Sequence, residues 1–406
     1  MARPAGNHQL KAARVAAGYA SQQALADALG VGVRQVRRWE SDSPPWPQAE
    51  LQQALVRVLG QELHALGFLP PATVPAIGPR TPATVAAVGL AAVPAQAPAR
   101  MQPATVAADY GAVIRAHRRL YWSVAPSTLH PTAAAHASLG RTLLTETAGQ
   151  TRVQIAAGLA ETLLLVGRIE FFDLYEPGAA DATWLRALQA AGQADDHLLG
   201  AAVLAHTAFV PGWAGDHEAA AERMVAARTY ARRGQATAVF LAWLDAVEAE
   251  CEVRSDRPRT ALNLIGHAED ILARGDEQRP PEWFDWFNPV RLAAFKGNVQ
   301  LKAGHLPQAR EALAGALEAL DPAEEKQASV LLGDLAAVEA AAGHPDEACA
   351  YAARALDQLE RTWYAVGMDR VRAVRRALVP HQQNRCVRDL DDRLYGWQTT
   401  VSALAR

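Results

Sequence analysis

Leu10, Ala13 and Ala17 stand at helical spacing and end at Gly18, which predicts a first amphipathic helix. Ser21 then offers an N-cap, and Ala24, Leu25 and Leu29 predict a second helix. Gly30 breaks that helix where a tight turn needs a positive φ. A third helix starts at Gly32, with Val36 and Trp39 on its inner face and Arg34, Gln35, Arg37 and Arg38 on its outer face. Beyond a proline turn (Pro44, Pro45, Pro47), AELQQALVRVLG places Leu51, Leu55 and Leu59 on one stripe, and a short segment closes at Phe68. Residues 1–68 therefore read as one bundle of about five helices.

From Leu69 to Thr105 the pattern stops. Proline recurs every few residues, acidic groups vanish and no apolar stripe forms, so residues 69–105 are expected to be a flexible Pro/Ala-rich tether. From Asp109 to Arg406 helical spacing returns without a strand signal, and residues 106–406 read as a second, larger domain. Within it a repeat is visible, because alanines stand at i and i+7 in five places: Ala180/Ala187, Ala220/Ala227, Ala261/Ala268, Ala309/Ala316 and Ala348/Ala355. Each pair follows a turn residue, namely Glu176, Asp216, Arg257, His305 and His344. The period is roughly forty residues. Two alanines at that spacing share one helix face and let a neighbouring helix come close. The implied unit is a helical hairpin that buries its face only by stacking on its neighbours. The fold class is thus all-α, a small helical head joined to an α-solenoid.

The chain has 406 residues and a net charge of −3, but the charge is unevenly spread. Residues 1–40 hold Arg3, Lys11, Arg14, Arg34, Arg37 and Arg38 against only Asp27 and Glu40, so the head is basic and the body acidic. Three arginines in five positions on so short a helix suit an anionic partner. No run of about eighteen apolar residues exists, so no membrane partner is expected. The N-terminus carries no apolar signal core, which points to the cytoplasm and the nucleoid. Cys251, Cys349 and Cys386 lack metal-ligand spacing and read as reduced thiols.

No catalytic constellation is present. The histidines are scattered, with His130 and His136 off any shared metal-binding face, and neither a phosphate-cradling G-x-x-x-x-G-K-[ST] nor a G-x-S-x-G motif occurs. Asp391 and Asp392 form an exposed helical charge pair. No enzyme activity, metal or cofactor is expected.

Ser21, Gln22, Leu25, Ala26, Gly30, Val31, Val36, Trp39 and Glu40 fit the pattern S-Q-x-x-L-A-x-x-x-G-V-x-x-x-x-V-x-x-W-E. In this the head resembles the helix-turn-helix of the Cro/phage-repressor type, the XRE family, which has a lambda-repressor-like fold. The resemblance implies that the third helix enters the major groove of double-stranded DNA. Val33 would then touch a thymine methyl, and Arg34 and Arg38 would make bidentate contacts to guanine, with Gln35 on the same face. Gln22 and Arg37 would hold phosphates. Gly32 stands where a Ser or Thr is common, which removes one side-chain phosphate contact. Glu40 reads as structural, pairing with an arginine or a helix end.

The body resembles tetratricopeptide (TPR) repeats, best in LAAFKGNVQLKAGHLPQAREALAGALEALDP, where Gly297, Gly304, Ala309, Ala316 and Pro322 take motif-like positions. Its longer period implies elongated repeats, and the resemblance places the first helix of each hairpin on the concave surface. That puts Arg291, Asn298 and Lys302 there, with Trp243, Glu250 and Arg254 from the preceding unit and Trp213 from the one before. Such residues suit an extended peptide; the alternative is a solvated polar inner face. PPEWFDWFNP (280–289) reads as a plug in the core, or else as a pocket wall or dimer contact.

Head and body together resemble the peptide-pheromone sensors. The expected function is a sequence-specific transcriptional regulator, a homodimer that sets two heads on half-sites about one helical turn apart. Its repeats would sense a peptide or small ligand, or dimerise. The alternative is a DNA-anchored scaffold whose repeats bind a protein partner.

Overall fold

The computed structural model describes residues 7–41, 44, 45, 47, 49–61, 63, 66–68, 101–275 and 278–404. The tether expected at 69–105 lies outside them except for residues 101–105. The chain falls into two compact units, Met1–Val93 and Pro94–Arg406, and every regular element among the described residues is helical.

The first unit holds α1 (His8–Ala16), α2 (Gln22–Leu29), α3 (Val33–Trp39) and α4 (Ala49–Leu59). The Ser21 hydroxyl accepts from the Ala24 amide at 3.1 Å, and Gly30 ends α2 at φ 68°, a left-handed cap that only glycine adopts without cost. Val36 and Trp39 are fully buried against Leu10, Leu25, Leu55 and Phe68. Part of the closing segment after α4 lies outside the described residues; Leu66 and Phe68 within it are buried. Ala17 departs from the expected stripe, because it caps α1 and faces outward. Arg14 takes the inner position instead.

Asn7 ties three segments of this unit together. Its side-chain oxygen accepts from the Leu10 amide at 3.2 Å. Its nitrogen donates to the carbonyls of Trp39 at 3.1 Å and Leu66 at 2.9 Å. Asn7→Ala removes the cap of α1 and leaves two carbonyls without their donor, a loss of roughly 1–3 kcal/mol. Hydrogen exchange of the α1 and α3 amides should quicken by about tenfold or more; unchanged protection would remove Asn7 from the account.

The second unit begins with α5 (Val106–Leu120), α6 (Pro126–Thr145) and α7 (Gly149–Arg168), the last running into a π-helical turn, Ile169–Asp173. Next come α8 (Pro177–Gln193), α9 (His197–Trp213), α10 (His217–Arg233), α11 (Ala238–Arg254) and α12 (Pro258–Arg274). The unit closes with α13 (Pro289–Lys302), α14 (Leu306–Glu318), α15 (Glu325–Ala341), α16 (Pro345–Arg361), α17 (Ala365–Ala377) and α18 (Arg385–Leu404). Ahead of α5, Gln102 bonds to Glu146 through its amide (3.0 Å) and its side chain (2.8 Å).

Glu176, Asp216, Arg257, His305 and His344 are the N-cap residues of α8, α10, α12, α14 and α16. Every alanine of the five pairs is at most 2% exposed. Each of these helices therefore presents a small-residue face to its neighbours, and consecutive helices pack in pairs. Gly297 shows how close the approach is: a Cβ there would lie 2.4 Å from Leu313 Cγ.

Residues far apart in sequence meet inside this unit. Arg118 of α5 reaches Asp285 at 2.9 Å, and the Trp363 indole donates to the Asp173 carbonyl at 3.0 Å. Trp283, Phe284, Trp286 and Phe287 are buried and stack with one another and with Phe240 and Trp243, so the aromatic segment fills core space.

Candidate functional site

A cavity of about 140 Å³ opens among α7, α9, α11, α13, α15 and α17. Of the seven residues expected on a concave surface, Trp213, Trp243, Glu250, Arg291 and Asn298 line it. Two do not. Arg254 lies flat on the Trp213 ring, 3.7 Å from its centroid, and donates to Glu250 at 2.9 Å. Lys302 sits in the last turn of α13, where the helix leaves the wall, and is exposed. Repeat register had not pointed to several wall residues, because they come from outside the repeated hairpins. Trp122, Arg168 and Phe172 precede the first alanine pair; Tyr364 and Arg370 follow the last. Trp286 and Phe287 of the aromatic segment also face the cavity, so that segment is both core and wall.

Most charges of this wall are paired. Arg370 meets Asp334 at 3.1 Å and Glu250 at 3.4 Å. Burial pushes the Glu250 carboxyl up, but Arg254 and Arg370 outweigh it and hold it below its ordinary value. Burial wins at Asp334, whose carboxyl stays raised although Arg370 and the Asn298 amide (3.2 Å) oppose it. Arg291 pairs with Glu324 at 3.3 Å and donates to Gln327. Burial, reinforced by the charge of Arg168, pushes the His206 imidazole down to about 3, so it is neutral near pH 7. Its Nδ1 lies 2.8 Å from the Ala202 carbonyl and donates to it, which leaves Nε2 an acceptor.

Arg168 is the exception. It is 7% exposed, and no carboxylate among the described residues lies within ion-pair distance. Its guanidinium carbon sits over rings instead, 4.7 Å from the Tyr121 centroid, 4.8 Å from Trp286 and 5.7 Å from Trp122.

In the first unit, the outer face of α3 carries Arg34, Arg37 and Arg38 exposed and Gln35 half-buried. Gly32 is the N-cap, and no side chain caps the helix. Val33 is half-buried and leans on the core of the unit. Glu40 ends α3, where a carboxylate meets the negative end of the helix dipole. Two donors offset this. Arg14 Nε reaches one carboxylate oxygen at 2.7 Å, and Gln22 Nε2 reaches the other, also at 2.7 Å. Gln22, expected at a phosphate, is turned toward Glu40 in this structure, because that buried carboxylate needs a second donor. It positions α3 against α2. Arg14, which the sequence reading left unassigned, does the same from α1 and also donates to the Tyr19 carbonyl at 2.7 Å.

Residues 10–66 match the helix-turn-helix family. No curated protein matches the chain. The crystal structure of BtubC (BKLC) from P. vanneervenii is similar at 17% identity, over 58% of this chain and 91% of that one, with a TM-score of 0.40. The helix-turn-helix domain is DNA-binding, and its second helix is α3. The side chains of α3 divide accordingly. Val36 and Trp39 lock the helix to the domain, Arg14 and Gln22 fix its C-terminal end through Glu40, and the three arginines are exposed with no ion-pair partner among the described residues. No helix among the described residues is long and apolar enough to cross a membrane.

Proposed function

We propose that the chain is a sequence-specific transcriptional regulator in which α3 reads base edges and the repeat body takes a small ligand in its cavity. The observation that carries the first part is the exposed Arg34–Arg37–Arg38 face on a helix held rigidly from behind. Arg34 and Arg38 are assigned to guanine edges and Arg37 to a phosphate. One such head buries little surface, so tight binding calls for two on neighbouring half-sites, which supports a homodimer. The size of the cavity favours a small ligand over a peptide. A cavity of about 150 Å³ holds a single benzene ring, far less than an extended chain needs. Occupancy of the cavity would act on the DNA through the differential affinity of two body conformations.

Equilibrium binding of the full chain to a duplex carrying its preferred site, titrated with salt, separates these roles. Arg37→Ala should lower the slope of log K against log salt by about one and weaken all sequences alike. Arg34→Ala should cost roughly 1–3 kcal/mol on the preferred site only, with relaxed choice at one base pair. Equal effects of both variants on preferred and random duplexes would contradict base reading by α3.

A further inference from the structure

We infer that the cavity of the repeat body binds a small single-ring carboxylate, its ring against the indoles and its carboxylate between Arg168 and Arg291. The inference rests on the reading of the body as a ligand-binding unit. Both guanidiniums lie near one ring: the Trp122 centroid is 4.3 Å from the Arg291 guanidinium carbon and 5.7 Å from that of Arg168. Both line the same cavity and carry N–H groups without a hydrogen-bond partner, at Nε of Arg168 and at Nη2 of Arg291. The other charges around the space are compensated. Arg370 has Asp334 and Glu250, Arg254 has Glu250, Arg291 has Glu324, and Lys326 behind them has Asp173.

Among the described residues around the cavity, the cation left over is Arg168. An uncompensated buried cation is costly, and a second guanidinium near the same ring adds to that cost. Stacking on rings satisfies the faces of a guanidinium but not its N–H edge, which matches a carboxylate bidentately. The wall supplies the rest. Trp213, Trp243 and Trp286 line the cavity, and indoles suit a flat ring in offset or edge-on contact. The volume limits the ligand to about one ring.

Benzoate is the probe, with benzamide as the neutral isostere and propionate as the ringless acid. Each is titrated at millimolar concentration into the full chain without DNA, read by tryptophan fluorescence and thermal shift. Benzoate should quench the indoles and raise the melting temperature, with benzamide and propionate weaker by roughly tenfold or more. Arg168→Gln should bind benzoate about tenfold more weakly and lose most of the preference for benzoate over benzamide. Benzamide binding as tightly as benzoate, propionate matching benzoate, or no response to any probe would each overturn the inference. So would a folded Arg168→Gln chain with undiminished benzoate affinity. If that variant does not fold, the comparison of benzoate with benzamide on the unaltered chain still decides. The readout contains no DNA, so its failure leaves base reading by α3 standing, and the reverse also holds.

Discussion

Lys326→Met alone should destabilise the repeat body by roughly 3–5 kcal/mol. Lys326 Nζ lies 2.5 Å from Asp173 Oδ1, and both side chains are 0% exposed. The pair joins the first turn of α15 to the π-helical turn that follows α7, and the Asp173 carbonyl also receives the Trp363 indole. Burial pushes the lysine down and the aspartate up, and each is opposed chiefly by the other's charge. Removing the ammonium leaves a buried carboxylate whose burial is opposed only by the Tyr121 hydroxyl and the charge of Arg168, so it takes up a proton to stay inside. The sign of the pH effect follows. A carboxyl whose folded pKa lies above its unfolded value of about 3.9 contributes stability at low pH and loses it as pH rises. Lys326→Met should therefore weaken as pH climbs above about 4, with little deficit in acid. The double variant Lys326→Met, Asp173→Leu removes both charges and should recover most of the loss. Urea denaturation of the three proteins at two pH values reads this directly. A single variant within about 1 kcal/mol of the parent would show that the pair does not hold these helices together.

Trp39→Ala should abolish DNA binding although Trp39 faces away from the DNA. Its ring is fully buried and meets Phe68 edge-on, with centroids 6.1 Å apart. Truncating such a residue costs about 3–5 kcal/mol. A unit of some 60 residues has a total stability of only about 3–9 kcal/mol, so the helix-turn-helix domain loses most of its margin. Hydrogen exchange across α1 to α3 should approach that of an unfolded chain, while the helices of the body keep their protection. Trp39→Phe, which keeps an apolar ring, should retain both protection and much of the DNA affinity. A Trp39→Ala protein with intact protection and affinity would contradict this packing account.

What could be read from the sequence divides along physical lines. Ser21 and Gly30 were legible because a cap and a left-handed turn each demand particular residue types. The alanine pairs and the turn residues Glu176 to His344 were legible for a related reason: helices that approach closely tolerate only small side chains, at a fixed distance from each N-terminus. The cavity was legible only in part. Trp213, Trp243, Glu250, Arg291 and Asn298 follow from repeat register. Trp122, Arg168, Tyr364 and Arg370 arrive through contacts between distant helices, which no local periodicity encodes. The bond from Gln22 to Glu40 was not legible because Glu40 lies beyond the turn and its need for donors comes from the end of α3. Arg14 was passed over because a basic residue on an apolar stripe looks solvated until a buried carboxylate is found opposite it.

The claim that α3 reads DNA sequence is tested most directly by mapping the DNA bound by the full chain across a genome, repeated with Arg34→Ala and Arg38→Ala. Both side chains are exposed, so the fold should survive each change. The account expects a recurring sequence motif for the parent chain, and loss of preference at a different guanine in each variant. Maps for both variants that coincide with that of the parent would contradict it.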